Sequence, residues 1–375
     1  MRLRAWAIRV LSTGWTTPPD VDSDTWRLFL RAERCAVALS TRAEGDGPPI
    51  LHALATVELQ RILSAQAQIE RLGQVAADVG LRVAVLKGGR HALMPGHAVN
   101  LDDVDVLAEP GEENTVAAFL DRTGYRTVSH TNEAHLGTRA TADAVSVEVH
   151  FAVRELGPVA DLWHDARPLK GHPGVWELAP VDHARHVLFH AVKTHAYRRS
   201  VLRDLLVIGE ADARLDEPLR ARFDRLVAGD SAHRALTRTL NQARTLRDGG
   251  NGDFFIADAA AHYCLLTPAV ARLERRLGGQ VSRRVFTLLD DRAARRAYWE
   301  HVWQGSPQSP WRFFEPLEDR SPGLARWVRR LLRLARAPVV DLFAAPIARR
   351  ARRLAARYPS ADSDARTSAI RSADA

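Results

Sequence analysis

A chain of 375 residues is long enough to bury a sizeable core and to form two or three structural units. With 46% hydrophobic and 26% charged residues it has the balance of a folded globular protein, not of a disordered one, and no uncharged apolar run reaches the roughly eighteen residues that a membrane span needs. The net charge of +8 favours a phosphate-bearing partner, and the distant cysteines Cys35 and Cys264, neither in a CxxC pair, support no disulfide framework and no cysteine zinc site.

Only three of the 53 basic residues are lysine, namely Lys87, Lys170 and Lys193, so a retained lysine marks a place where a compact ammonium suits better than a guanidinium. The first ten residues carry no clean hydrophobic stretch or small-residue cleavage site, and a cytoplasmic location is expected.

Apolar residues recur at helical spacing over 25–39 and 50–79, separated by the turn-forming Glu44-Gly45-Asp46-Gly47-Pro48-Pro49. After Gly80 the character changes. Residues 81–86 read as a short buried strand that stops at Gly88-Gly89, a helix starting near Gly89 ends at Pro95-Gly96, and 101–108 is an apolar strand interrupted by acids. A helix over 112–122, closed by Gly124, leads to a strand at 125–129, and 145–153 alternates with period two. Strands and helices succeeding one another within 81–153 make a small α/β unit. From residue 181 the pattern is helical again, over 182–209, 218–227, 232–247 and later stretches. The expected class is α+β, with a helical lead-in over 1–79, a core of mixed sheet and helices over 80–155, and a helical domain over 156–300. Basic helices over 301–358 and a polar, disordered tail over 359–375 complete it.

Asp103 and Asp105 stand two residues apart in the acidic strand, so both carboxylates leave one face while Val104 and Val106 leave the other. Two like charges side by side on a buried strand are costly, and a divalent cation removes the cost. Magnesium takes hard oxygen ligands and keeps substrate phosphates in its shell, which makes the pair a natural half-site. The third acid is expected from a neighbouring strand. Glu148 fits, because alternation sends Val145, Val147, Val149, Phe151 and Val153 to the core and leaves Ser146, Glu148 and His150 on the open face. Leu86-Lys87-Gly88-Gly89 sits at a strand-to-helix junction, where glycines permit close backbone approach, free N–H groups attract phosphate oxygens and Lys87 adds a point charge. A purely structural turn uses the same glycines.

Taken together, Val85-Leu86-Lys87-Gly88-Gly89, Asp102-Asp103-Val104-Asp105-Val106-Leu107, Gly124-Tyr125 and Val147-Glu148-Val149-His150-Phe151 resemble the pattern of the uncharacterised nucleotidyltransferase family within the polymerase-β superfamily. The resemblance extends through the helical lead-in and through 182–195 to Leu202-Arg203-Asp204-Leu205. It implies transfer of a nucleoside monophosphate from a nucleoside triphosphate to an acceptor hydroxyl or similar group, with release of pyrophosphate. It also implies a two-metal magnesium site in which manganese can substitute. By that resemblance Asp103 and Asp105 hold the nucleotide-bound metal, and Glu148 completes the site as ligand or general base. Lys87, Gly88 and Gly89 then bind the nucleotide, while His150, Lys193, His195 and Arg203 are candidate substrate contacts. The acceptor, whether small molecule, protein side chain or RNA end, is not specified by this chemistry. The chain departs from the pattern at Gly89, where serine is common, and at Val99-Asn100-Leu101, where the family carries an arginine; the second departure bears on a substrate contact.

His183, His186 and His190 share one helical face, with His195 further on, and such a row either binds a transition metal or packs at a helix interface. Packing is favoured, since no HExxH arrangement accompanies them. The arginine-rich stretches 326–336 and 348–357 suit an anionic membrane surface or RNA, although a packed helix with a solvated basic face explains them more plainly. A binding or scaffold protein that keeps the fold without turnover is the alternative to an enzyme.

Overall fold

The computed structural model describes residues 2–94, 101, 103–122, 124–127, 135–140, 145–153, 156, 159–194, 202–230, 233–249, 284–285, 339–350 and 353. The expected basic helix at 326–336, the tail at 359–375 and His195 lie outside the described residues.

Four helices lead in: α1 (Arg2–Thr13), α2 (Ser23–Glu33), α3 (Ala36–Ala43) and α4 (Pro49–Asp78). The single helix expected over 25–39 is two, because Arg34 turns left-handed at φ 52° and its N–H closes on the Leu30 carbonyl, ending α2. Asp22 starts α2 by accepting the Thr25 N–H at 2.8 Å. Buried Glu58 of α4 does the same for α3, accepting the Val37 N–H at 3.0 Å. On α4, Leu51, Ala55, Glu58, Ile62, Ala65, Ile69, Leu72 and Ala76 are buried at alternating steps of four and three, a heptad stripe along thirty residues. Gly73 lies on that helix, and a Cβ there would come within 2.5 Å of the Pro173 carbonyl oxygen, so the missing side chain sets how closely α4 approaches the sheet.

The sheet is mixed and seven-stranded among the described residues. Its strands are β1 (Val83–Val85), β2 (Asp103–Ala108), β3 (Arg126–Thr127), β4 (His135–Ala140), β5 (Ser146–His150), β6 (Arg167–Pro168) and β7 (Val175–Glu177), in the spatial order β3-β4-β5-β2-β1-β7-β6. Helices α5 (Lys87–Ala92), α6 (Glu113–Arg122) and α7 (Val159–His164) connect them. At the centre β1 runs antiparallel to β2 and parallel to β7, while β2 runs parallel to β5. The boundary expected at residue 155 does not coincide with the edge of the sheet, since β6 and β7 extend it.

Register assigns the faces. Val83, Val85, Val104, Val106, Val147 and Val149 share one buried face. Ala84 and Leu107 belong to the other, in a core with Leu86, Val153, Leu156, Leu162, Trp163 and Leu178. Asp103 and Asp105 leave β2 on that second face, beyond the apolar cluster.

Pro180 opens α8 (Pro180–Phe189), which passes into a π-helical turn, His190–Thr194, instead of the uninterrupted helix expected over 182–209. Helices α9 (Leu202–Ala213), α10 (Glu217–Ala228) and α11 (His233–Arg247) follow. Buried Asp212 of α9 receives Arg244 at 2.7 Å and Arg247 at 2.8 Å from α11. Trp6–Lys193 with Ser200–Gly250 form one compact unit. Met1–Ala5, Thr194–Arg199 and Asn251–Ala375 form a second, in which 339–350 is helical and Asp341 pairs with Arg284 at 3.1 Å. Among the described residues no helix is long and apolar enough to cross a membrane.

Candidate active site

The site is fixed by backbone pairing before any side chain acts. Parallel register sets Asp103 opposite Ser146, Asp105 opposite Glu148 and Leu107 opposite His150. At the end of β1 the Leu86 N–H donates to the Asp105 carbonyl at 2.9 Å, and the chain then turns through a left-handed Lys87 at φ 45° into α5. A non-glycine residue in that region is uncommon, so the turn is held by its surroundings. It leaves the Lys87 ammonium 3.0 Å from Asp105 Oδ1.

The same oxygen accepts a hydrogen bond from His150 Nε2 at 2.6 Å, and that nitrogen lies 3.8 Å from Glu148 Oε2. Asp105 is only 4% exposed. Burial alone would raise its pKa, but the Lys87 charge, the hydrogen bond and charge of His150 and the charge of His190 outweigh it and hold the carboxyl well below the usual carboxylate range. Burial likewise opposes the Lys87 charge, and Asp105, Asp103 and Glu148 overcome it, keeping the ammonium above its ordinary pKa. Both groups are therefore charged at neutral pH.

Three carboxylates, Asp105, Asp103 and Glu148, act on the one ammonium of Lys87. One donor atom each from Asp105, Glu148 and His150 lies within 4.8 Å of the others, and among the described residues this is the one such cluster of potential metal ligands. The donor set fits a divalent cation in number, charge and spacing. Alternation along β5 had put His150 on the open face, where a substrate contact was expected; the structure brings it to the carboxylates themselves.

Gly88 and Gly89 have a role that needs no ligand. A Cβ on Gly88 would overlap the Leu101 side chain, and one on Gly89 would come within 2.7 Å of Val85 Cγ1, so both are small because α5 packs tightly against the sheet. Lys193 has its backbone in the π-helical turn, its side chain lying outside what is described, and Arg203 donates to its neighbour Asp204 at 2.6 and 2.9 Å. The histidine row is packing: His183 and His186 are buried, His183 lies against His91 at a ring separation of 5.4 Å, and His91 Nδ1 is 2.9 Å from Glu210 Oε2. His190, at the start of the π turn, is the member whose charge reaches Asp105, a role that its sequence position did not signal.

The pattern of a family described as uncharacterised nucleotidyltransferase matches residues 45–246, more than half of the chain. The chain belongs to this nucleotidyltransferase family. The match runs from just ahead of α4 into α11 and includes every strand of the sheet. No curated protein and no solved structure matches the chain. Membership of the nucleotidyltransferase family implies a nucleotide substrate, and the Asp105–Glu148–His150 cluster supplies donors with which the chain could hold a metal ion.

Proposed function

We propose that the protein is a metal-dependent nucleotidyltransferase that moves a nucleoside monophosphate from a nucleoside triphosphate to an acceptor hydroxyl or similar group. The observation that carries this reading is the meeting of Asp105 and Glu148 across a parallel strand pair, with Lys87 delivered to the same carboxylate by the β1–α5 turn. In the reaction the acceptor oxygen attacks the α-phosphorus, the bond from that phosphorus to the oxygen bridging it to the β-phosphate breaks, and pyrophosphate leaves with the bonding pair.

Asp103, Asp105 and Glu148 would hold the divalent cation, magnesium by the expectation from sequence, and a bound ion supplies neutralisation of the phosphate charge. Glu148, partly exposed and paired opposite Asp105, would complete the site either as a ligand of that ion or as the general base that takes the acceptor proton. Lys87 keeps Asp105 ionised and adds fixed positive charge for the triphosphate. Gly88 and Gly89 would line the nucleotide's approach as backbone, while Lys193, His195 and Arg203 stay, by the expectation from sequence, candidates for nucleotide or acceptor contacts.

The test is pyrophosphate release from each common triphosphate over pools of small-molecule, protein and RNA acceptors, with wild type and Asp105→Asn run side by side. Release with mass-detected transfer in wild type, and a fall of roughly a thousandfold in the variant, is expected. Undiminished turnover in Asp105→Asn contradicts the proposal; triphosphate binding without turnover on any pool favours a scaffold instead.

A further inference from the structure

We infer that His150 is itself a metal ligand through Nε2, and that the site consequently selects a first-row transition ion such as Mn2+ over Mg2+; this rests on the metal-dependent reading above.

Ligands about 2.1 Å from a common ion and at right angles to each other stand about 3 Å apart. His150 Nε2 brackets that separation, at 2.6 Å from Asp105 Oδ1 and 3.8 Å from Glu148 Oε2. Strand geometry, not a flexible loop, sets the arrangement: Glu148 and His150 leave β5 on one face, and pairing with β2 places Asp105 opposite Glu148. The imidazole is 12% exposed, so it is seated among the carboxylates and not waving in solvent. Asp103 is absent from the tight cluster, and a nitrogen stands with the two closest acids.

The chemistry of that donor set differs from an all-carboxylate one. Magnesium holds to oxygen ligands and water, whereas an imidazole nitrogen suits transition ions. Ligation needs the Nε2 lone pair, so the proton now donated to Asp105 moves to Nδ1 or to solvent, and cation binding takes over the charge compensation which that hydrogen bond provides.

The experiment uses the full chain and Mn2+ alone as the probe, read by pulsed electron paramagnetic resonance for coupling to a directly bonded nitrogen. Wild type should show the coupling and His150→Gln should lose it. In competition, Mg2+ should displace Mn2+ from wild type only in roughly tenfold or greater excess, and His150→Glu, which restores an oxygen ligand and guards against a glutamine variant that fails to fold, should narrow the ratio toward one. Bound Mn2+ without nitrogen coupling, coupling that persists in His150→Gln, or a displacement ratio unchanged in His150→Glu overturns the inference and leaves the transferase reading standing. Failure of wild type to bind Mn2+ at all overturns both.

Discussion

Lys87 shows how one residue can serve two ends. Its ammonium compensates Asp105, and under the proposed function it would meet both the incoming cation and the triphosphate. Lys87→Met should therefore tighten Mn2+ binding and weaken triphosphate binding, each by about tenfold or 1.4 kcal/mol, as calorimetry on the two ligands would measure. If neither affinity moves, the lysine has no part in the site. What the sequence makes legible here is whatever follows from alternation: Asp103, Asp105, Glu148 and His150 fall on one face because strands have a period of two. The left-handed turn at Lys87 and the electrostatic reach of His190 depend on neighbours from distant segments, and nothing local in the sequence specifies them.

Between elements, the Glu210–His91–His183 run joins α5, α8 and α9 in the interior. Burial is the largest influence on both rings; it lowers His91 below the ordinary value and His183 well below it, so both are neutral in the folded chain. The unfolded chain gains these protons as the pH falls through about 6.5, while the folded chain does not until its lower values are reached. Stability should thus be level above that pH and fall below it, with His183 contributing a slope that approaches about 1.4 kcal/mol per pH unit and His91, whose shift is smaller, contributing less. Thermal melts between pH 7.5 and 5.5 check this, and His183→Phe should remove its share of the slope; a melting temperature constant across the window contradicts it. The α9–α11 contact makes a second prediction. Asp212→Asn leaves two arginines facing a buried amide and should cost about 3 kcal/mol, seen as a lowered denaturant midpoint with an unchanged slope.

The elements that sequence foretells best have strong periodicity, such as the heptad stripe of α4 and the alternation of β5. Strands β6 and β7, two and three residues long, exist through pairing with the sheet, and β4 carries a glycine where alternation would be read. Short elements of that kind have too little pattern of their own to announce them.

For the whole molecule, the family match covers the sheet and the helices from α4 into α11, and the excess of basic over acidic residues gives the chain an attraction for polyanions that says nothing of fold. A ligand that binds only the folded chain should stabilise it, by about 2.7 kcal/mol at a hundred times its dissociation constant. The most direct test of the account is the equilibrium binding of a non-hydrolysable triphosphate to the full chain, with divalent cation and with chelator. Binding that requires the cation, and that is lost in Asp103→Asn and in Asp105→Asn, is the predicted result; equal affinity in chelator and in both variants would contradict it.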